Sequence, residues 1–441
     1  MTAFSIEAAW EHLEIGAAEE RACAAAIGIR AGDLWLTQAD DAFVRRVRDQ
    51  VILSAYKLAE WLAWNWWRLR WQSRSPSVDW ALAHRMTTIG GGFVWPNLEI
   101  RPDGERIVLV ARQTRRVPGE PLRYLTDAVV GLPATEWENA VDRFVDQVRG
   151  QLRAEGVADT NLDRIWSDVL AERSNTELAL QRRFEALLGY DPDEAPEDLL
   201  NQCALDSLDL GADAVGELAA SRRPAAAPVS AEALRGIAAA HGFDASPADA
   251  VRVALTLEPA ANVPAWRRGV GVAQSLRQQA GLGWGPIDST RLAELAGVDA
   301  RALASAQSSG EFSFALDDSA TRGRIALRSR WNTGRRFELA RLLGDRLATQ
   351  SPSRLLPATH AATYRQKLQR AFAAEFLCPV VALRDMLGAD LSAEACSEAA
   401  AAFDVSELVV RTQLVNHGLL DRDALESDDA NEGMSRAPRA A

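Results

Sequence analysis

Residues 335–345 read Arg-Arg-Phe-Glu-Leu-Ala-Arg-Leu-Leu-Gly-Asp, and this stretch decides how the C-terminal third of the chain is interpreted. We expect it to form a helix, in which residues four apart lie on one face. Arg341 and Asp345 have this spacing, and their opposite charges predict an i,i+4 ion pair. An exposed pair of this kind adds only about 0.3–0.5 kcal/mol, so it matters for stability only if it is partly buried.

Three positions of the stretch coincide with those that carry metal chemistry in zinc peptidases. The helix of such an enzyme contains His-Glu-x-x-His. The two histidines bind zinc, and the glutamate acts as general base on the metal-bound water. Here these places are Arg341, Leu342 and Asp345. A cation, an alkyl group and a lone carboxylate therefore stand in for the first ligand, the base and the second ligand. The pattern predicts a zinc-peptidase helix that has lost its zinc chemistry.

The segments around this helix follow a specific order. Along the chain they are a helix at 271–277, Pro286-Ile287, a short helix at 292–298, a strand pair at 312–316 and 324–328, the stretch at 335–345, a helix ending in Phe-Ala-Ala-Glu-Phe-Leu-Cys-Pro at 372–379, and a helix pair ending with 408–417. In this order the chain resembles the ImmA/IrrE family of metallopeptidase-like proteins over roughly residues 265–420.

The resemblance implies a zincin-like fold and, in members with an intact zinc site, cleavage of repressors or antitoxin-like partners. It also implies a third metal ligand, a glutamate early in the Phe-Ala-Ala helix. That position falls near Gln366, and no carboxylate lies between residues 364 and 374. Arg341 would in addition place a fixed positive charge at the metal position, because an arginine pKa stays above about 12. We therefore expect no catalytic zinc, no other cofactor and no catalytic residue here.

The composition argues against some functions for the whole chain. A net charge of −12 opposes non-specific binding to nucleic acid or to a membrane surface. The four cysteines are far apart and form no Cys-x-x-Cys pair, which is typical of reduced thiols in a cytoplasmic protein. Glu7 and Glu11 stand where a signal peptide would have its basic region. We therefore expect a cytoplasmic protein.

The segment 51–71 is rich in tryptophan but also contains several charged residues. Charges in the middle of a membrane span are costly, so we expect an amphipathic core helix rather than a transmembrane one. Trp61, Trp64 and Trp71 fall on one face of such a helix. The alternative is that these three residues, together with Arg68, form a partner-binding surface.

We expect an α+β, mostly helical fold. The N-terminal Trp-rich α+β domain covers residues 1–134 and contains a hairpin, because Pro102-Asp103-Gly104 separates strand-like runs at 93–100 and 106–113. The remaining parts are a helical middle region at 135–222, a linker with connecting helices at 223–260, an ImmA/IrrE-like pseudo-peptidase domain at 261–420 and a disordered tail at 421–441.

The C-terminal helix pair suggests a different function. Residues 398–417 have the pattern of a helix-turn-helix, and Arg411, Gln413 and Asn416 are of the types that read base edges. Acidic residues nearby would repel phosphate, however, and the ImmA/IrrE family has a similar helix pair within its own fold. We therefore favour a structural role for this pair.

Three functions compete on this basis. We expect a non-catalytic regulatory or defence-associated protein that binds a protein partner, such as a co-encoded one, or a small effector. The alternatives are a zinc metallo-endopeptidase acting on a repressor or antitoxin-like partner in phage or stress responses, and a DNA-binding transcriptional regulator. The replacement of both ligands and base favours the first, because zinc and base together activate the attacking water.

Overall fold

The structure, a computed structural model, describes residues 4–14, 16–116, 119–222, 229–349 and 353–420. In this part of the chain the fold is mixed α+β, with eighteen α-helices and four small antiparallel sheets. None of the described helices combines the length and the hydropathy that a bilayer span needs. The predicted tail at 421–441 and residues 223–228 of the predicted linker lie outside the described ranges. The division into five parts stays a prediction.

The N-terminal part is built from three small sheets and four short helices. Its strands are β1 Phe4–Trp10, β2 Ala24–Ala31, β3 Leu34–Trp35, β4 Ala39–Asp41, β5 Arg46–Arg48, β6 Val51–Ser54, β7 Leu98–Pro102, β8 Arg106–Ala111, β9 Leu122–Tyr124 and β10 Ala128–Pro133. Its helices are α1 Ala18–Ala22, α2 Ala55–Trp64, α3 Trp66–Trp71 and α4 Val78–His84. Strand β2 pairs with β1, β3 and β6, strand β4 with β5 and β9, and strand β8 with β7 and β10.

The predicted hairpin is confirmed, with strands β7 and β8 paired antiparallel and Pro102 opposite Ile107. The turn closes because the Asp103 carboxylate accepts the backbone N–H of Arg106 at 2.9 Å. Gly104 has a φ of 102°, in the left-handed region that favours glycine. Arg106 follows the turn directly, and its Nη2 donates across the sheet to the carbonyl oxygen of Gly131 in β10 at 2.7 Å.

The tryptophan-rich segment differs from the predicted single helix. Asn65 leaves helical geometry at φ −94° and ψ 11°, so the segment forms two helices, α2 and α3. The tryptophans at the start of α3, Trp66 and Trp67, are buried. Trp64 instead is 59% exposed, while Trp61 and Trp71 are half-buried against the same core. The expected core face of Trp61, Trp64 and Trp71 is therefore wrong at Trp64, because α2 buries the face that carries Leu58 and Leu62 and Trp64 lies outside it.

The rest of the described chain is mostly helical. Its helices are α5 Ala134–Ala154, α6 Asn161–Ser174, α7 Thr176–Leu188, α8 Glu197–Leu210, α9 Ala212–Ser221, α10 Ala231–His241, α11 Ala265–Gln279, α12 Ser289–Ala296, α13 Arg301–Ala304, α14 Asn332–Ala348, α15 Tyr364–Leu377, α16 Val380–Leu387, α17 Ala393–Phe403 and α18 Glu407–Asn416. Strands β11 Phe243–Ala245, β12 Ser313–Asp317, β13 Gly323–Ala326 and β14 Leu355–Ala358 form one sheet in the order β11-β13-β12-β14. The predicted strand pair is thus confirmed as β12 and β13.

The described residues form three large apolar cores and one small one around Ala265, Tyr364 and Leu368. The first joins the N-terminal sheets to α5 and α6. A second core, formed by α7 to α10, continues onto the sheet residues Phe314, Leu316 and Leu355. The third lies around α11, α14 and α15 and extends to α18. The helical middle region is therefore packed between the N-terminal sheets and the C-terminal sheet.

Helix α15 approaches two neighbouring helices closely because glycines face it. On α14, a Cβ at Gly344 would collide with the buried ring of Phe372. On α11, a Cβ at Gly269 would lie 2.5 Å from the backbone oxygen of Leu368. Real Cβ atoms do not make such contacts, so each glycine sets the distance between its helix and α15. This packing places residue 341 of α14 beside residue 366 of α15.

Candidate functional site

Arg341 and Gln366, two positions where the resemblance implies metal ligands, hydrogen-bond each other directly. Arg341 is buried, and its Nη2 donates to Gln366 Oε1 at 2.5 Å. The same Nη2 also donates to the carbonyl oxygen of Thr359 at 2.6 Å and to Gln369 Oε1 at 3.3 Å. Gln366 is fixed in turn, because its Oε1 accepts the Thr359 N–H at 2.8 Å and its Nε2 donates to the Pro357 carbonyl oxygen at 2.9 Å. The guanidinium of Arg341 is thus surrounded by uncharged hydrogen-bond acceptors at the position where the resemblance implies a metal ion.

The charge of Arg341 is not balanced by a salt bridge to any residue that the structure describes. Burial, and then the nearby charge of Arg370, lower the pKa of Arg341 to about 9. The guanidinium remains protonated near neutral pH, but at a cost in free energy relative to water. A cation held in this way gains stability from any anion that reaches it.

The predicted ion pair between Arg341 and Asp345 is wrong. Asp345 is only 1% exposed, and both of its carboxylate oxygens accept from Arg365 on α15, with Nε at 2.8 Å and Nη2 at 2.6 Å. Burial opposes ionisation of Arg365, but the charge of Asp345 prevails and raises the pKa of Arg365. The observed pair is bidentate and joins two helices, whereas the predicted pair ran along one helix. Asp345 pairs with Arg365 because α15 covers this face of α14.

Glu217, from the helical middle region, contacts the N-terminus of α15 beside Arg365 and Gln366. Glu217 on α9 is buried, and its carboxylate accepts a hydrogen bond from Thr363 Oγ1 at 2.6 Å. Thr363 is the N-cap of α15, and its Oγ1 also accepts the backbone N–H of Gln366 at 3.3 Å. Burial raises the pKa of Glu217. Helix α9 thereby fixes the first turn of α15, which carries Arg365 and Gln366.

The residues at these positions do not fit a catalytic zinc ion. Such a site needs about three protein ligands and room for water. Arg341 has only donors, and the carboxylate of Asp345 is fully engaged by Arg365. Leu342, at the position of the base, is 2% exposed and packs in the apolar core. In the described ranges no group of three or more His, Cys, Asp or Glu residues is arranged to hold a metal ion.

A cleft of about 1030 Å³ opens over Arg341, between the N-terminal hairpin sheet and the C-terminal helices. The sheet contributes residues of β7, β8 and β10, while α14, α15 and α18 contribute the other walls. Trp266, at the start of α11, and Phe337, one turn before Arg341, add aromatic surface. The cleft is thus formed by residues more than 200 positions apart in sequence, and it is called the cationic cleft below.

The lining of the cationic cleft is positive although the protein as a whole is acidic. Seven basic side chains line it, and they are Arg101, Arg106, Arg112, Arg328, Arg341, Lys367 and Arg370. Three carboxylates line it as well, namely Asp103, Glu311 and Glu338. Two of these carboxylates are neutralised, because Lys367 pairs with Asp103 at 3.1 Å and Arg328 with Glu338 at 3.3 Å. Arg101 and Arg112 also pair with carboxylates, those of Glu99 and Asp127. Among the described residues this leaves Arg106, Arg341 and Arg370 as the lining cations without a salt bridge, on a protein whose net charge is −12.

Three of these arginines keep unused donors. Among the described residues, Arg341 forms hydrogen bonds only through Nη2, and its buried Nε has no acceptor. Arg106 has a buried Nη1 without an acceptor, and Arg370 donates only through Nη2, to the Ala361 carbonyl oxygen at 3.0 Å. Arg106 and Arg341 are 8% and 9% exposed. Buried donors are normally paired, so their convergence on one cleft indicates a binding site.

The tryptophan-rich segment contributes no residue to the cationic cleft. Two guanidinium groups lie over the ring of Trp71, with Arg70 at 3.8 Å and Arg183 at 4.5 Å from the ring centroid. Arg68 is buried and donates to Gln72 Oε1, Asp191 Oδ1 and the Asp79 carbonyl oxygen. Trp64 is the exposed member of the proposed surface. These contacts give Arg68 and Trp71 structural roles where the N-terminal part meets the helical middle region.

The C-terminal helix pair is tied into the core of the same domain. Gln413 is 2% exposed, and its Nε2 donates to Glu375 Oε2 and to the Cys378 carbonyl oxygen, both at 3.0 Å. The side chain of Gln413 is therefore not accessible for contact with a base. Arg411 is partly buried and Asn416 is exposed, at the rim of the cationic cleft. The buried Arg336 of α14 donates to the carbonyl oxygen of Asp404 in the turn between α17 and α18 at 3.0 Å.

Sequence reasoning missed Arg106, Arg370 and Trp266. A weak signal existed for Arg370, which lies one helical turn after Gln366 and thus on the same face of α15. Arg106 gave none, because nothing in the sequence shows that the N-terminal hairpin lies opposite α14. That contact is visible in the structure, where the Asp103 carbonyl oxygen accepts the backbone N–H of Tyr364 at 2.7 Å.

Comparison of the chain with protein-family models, with curated proteins and with solved structures found no match. The resemblance to the ImmA/IrrE family therefore rests on the residues and their order, and it stays a prediction.

Proposed function

We propose that this protein is a non-catalytic, ImmA/IrrE-like binding protein with a zincin-like C-terminal domain. In this proposal it acts in the bacterial-type cytoplasm as a regulatory or defence-associated protein. The observation that carries the proposal is the hydrogen bond between Arg341 and Gln366, beneath a cleft of about 1030 Å³. The residues at two positions that carry zinc ligands in a peptidase form a hydrogen bond with each other here, and the cleft above them has room for a ligand.

The chemistry of the site disfavours the enzyme alternative. Hydrolysis by a zinc peptidase requires a metal-bound water and a general base. Arg341 is a cation with no acceptor atom, and Leu342 cannot accept a proton. A zinc ion would also have to displace Arg365 from Asp345, breaking a charge-assisted bidentate pair. Burial of Gln413 likewise argues against the DNA-binding alternative.

The proposal predicts that the full-length protein does not hydrolyse peptides. The test is incubation of protein purified without chelator with a quenched-fluorescence library of unstructured peptides, with added zinc and with a zinc chelator in parallel. We expect no cleavage above that of a buffer blank in either condition. Cleavage that disappears with the chelator would refute the proposed function and restore the peptidase interpretation.

A further inference from the structure

We propose that the cationic cleft binds a small phosphorylated ligand of the nucleotide class, with phosphates on Arg106, Arg341 and Arg370 and the base on Trp266. This inference rests on the proposed function, since it names the ligand of that same site. Four properties of the cleft carry it: the charge of its lining, the unused arginine donors, its aromatic wall and its size.

The first step concerns the charge of the ligand. Arg106, Arg341 and Arg370 line one cleft, and among the described residues none of them pairs with a carboxylate. Two of them also keep a buried N–H without an acceptor. Burying a cation without a partner is costly, so a ligand with several negative charges is the natural complement. Guanidinium groups bind phosphate oxygens in a planar, often bidentate geometry.

The second step distinguishes a nucleotide from other polyanions. Trp266 is 48% exposed and lines the cleft, and the partly exposed ring of Phe337 lines it as well. An exposed aromatic ring next to arginines suits a ligand with a flat ring and phosphates, because bases stack on aromatic side chains. Inorganic polyphosphate would use the arginines but not the aromatic surface.

The third step favours a compact ligand over a long nucleic acid. A volume of about 1030 Å³ is at the upper end of the range of small-molecule pockets, so the cleft has room for one compact ligand. The chain as a whole has a net charge of −12, so surface beyond the positively charged cleft would repel phosphates that extend past it. A compact anion avoids that repulsion because it lies wholly within the positive region.

The test is isothermal titration of the full-length protein with ATP and GTP, with inorganic triphosphate as a third titrant. We expect one site, with at least one nucleotide binding more tightly than triphosphate and with affinity that falls as salt is raised. The variants Arg341→Met and Arg370→Gln should each weaken binding about tenfold or more, which corresponds to the loss of a charge-assisted hydrogen bond. The matched control is Arg346→Gln, which is on α14 but outside the cleft and pairs with Asp317.

The outcomes separate the two proposals. No binding of either nucleotide at 1 mM by folded protein, checked by circular dichroism, would overturn the nucleotide assignment, as would equal weakening by Arg346→Gln. Triphosphate binding as tight as ATP would overturn the role of Trp266. If nucleotides fail to bind and no peptide is cleaved, only the ligand assignment fails. Chelator-sensitive cleavage would instead refute the proposed function itself.

Discussion

Replacing Asp345 with alanine is expected to lower the free energy of unfolding by about 3–5 kcal/mol, because it leaves the charge of Arg365 buried without its partner. The carboxylate is 1% exposed and the Arg365 side chain only 14%. Water therefore cannot replace the two hydrogen bonds that are lost. Chemical denaturation of the full-length protein, followed by far-ultraviolet circular dichroism, measures this change.

Two further variants establish that the effect comes from the buried pair. The double variant Asp345→Ala with Arg365→Leu should lose clearly less than the sum of the two single variants, since the second change removes the unpaired charge. The control is Asp127→Ala, which breaks an exposed pair with Arg112 and should cost no more than about 1 kcal/mol. Equal losses for Asp345→Ala and Asp127→Ala would contradict the observed arrangement.

Replacing Arg341 with methionine is expected to leave stability unchanged or to raise it by about 1–2 kcal/mol, although three hydrogen bonds are lost. Methionine has a similar length and no charge. The native cation is costly, because burial and the charge of Arg370 lower its pKa to about 9 from an ordinary value above about 12. That difference corresponds to a cost on the order of 4 kcal/mol, which the lost hydrogen bonds partly offset.

The direction of the pH effect follows from the same difference. Between the folded pKa of about 9 and the higher unfolded pKa, the unfolded chain binds more protons than the folded one, so stability rises with pH. Below pH 9 the full cost is present, and the advantage of Arg341→Met should therefore be largest at neutral pH. Arg346→Met is the control, because Arg346 lies on the same helix but outside the cleft and pairs with Asp317, so its replacement should bring no such gain.

A loss of several kcal/mol in Arg341→Met would mean that the arginine serves stability. A neutral or stabilising result, combined with weaker nucleotide binding, would mean that the fold tolerates a costly cation for the sake of a ligand. Natural proteins commonly retain such local costs at functional sites. The two outcomes therefore distinguish a role of Arg341 in stability from a role in ligand binding.

The sequence predicted the local elements of this site better than their partners. Helix α14 was expected from its own residues, and the hairpin around Gly104 from its turn, because both depend on interactions between near neighbours. The partner of Asp345 was predicted wrongly. Helical periodicity indicates Arg341, four positions away on the same helix, but it cannot reveal Arg365, which lies on another helix. Arg365 prevails because α15 buries the carboxylate and offers two donors.

The cationic cleft could not be predicted, for a related reason. Its arginines are spread from Arg101 in β7 to Arg370 in α15, and each alone reads as an ordinary surface residue. The whole-chain charge of −12 concealed their convergence, since a sum over the sequence says nothing about where charges meet. Only the packing of the hairpin sheet against α15 brings them to one place.

One titration tests the central claim most directly, namely that an arginine network occupies the position where the resemblance implies a metal ion. Full-length protein is treated with a chelator, dialysed and titrated with Zn²⁺ in a calorimeter. The account predicts no stoichiometric site, because Arg341 and Arg365 engage Gln366 and Asp345. Binding of one zinc ion per chain with a Kd below about 1 μM, abolished by Asp345→Ala in folded protein, would contradict it.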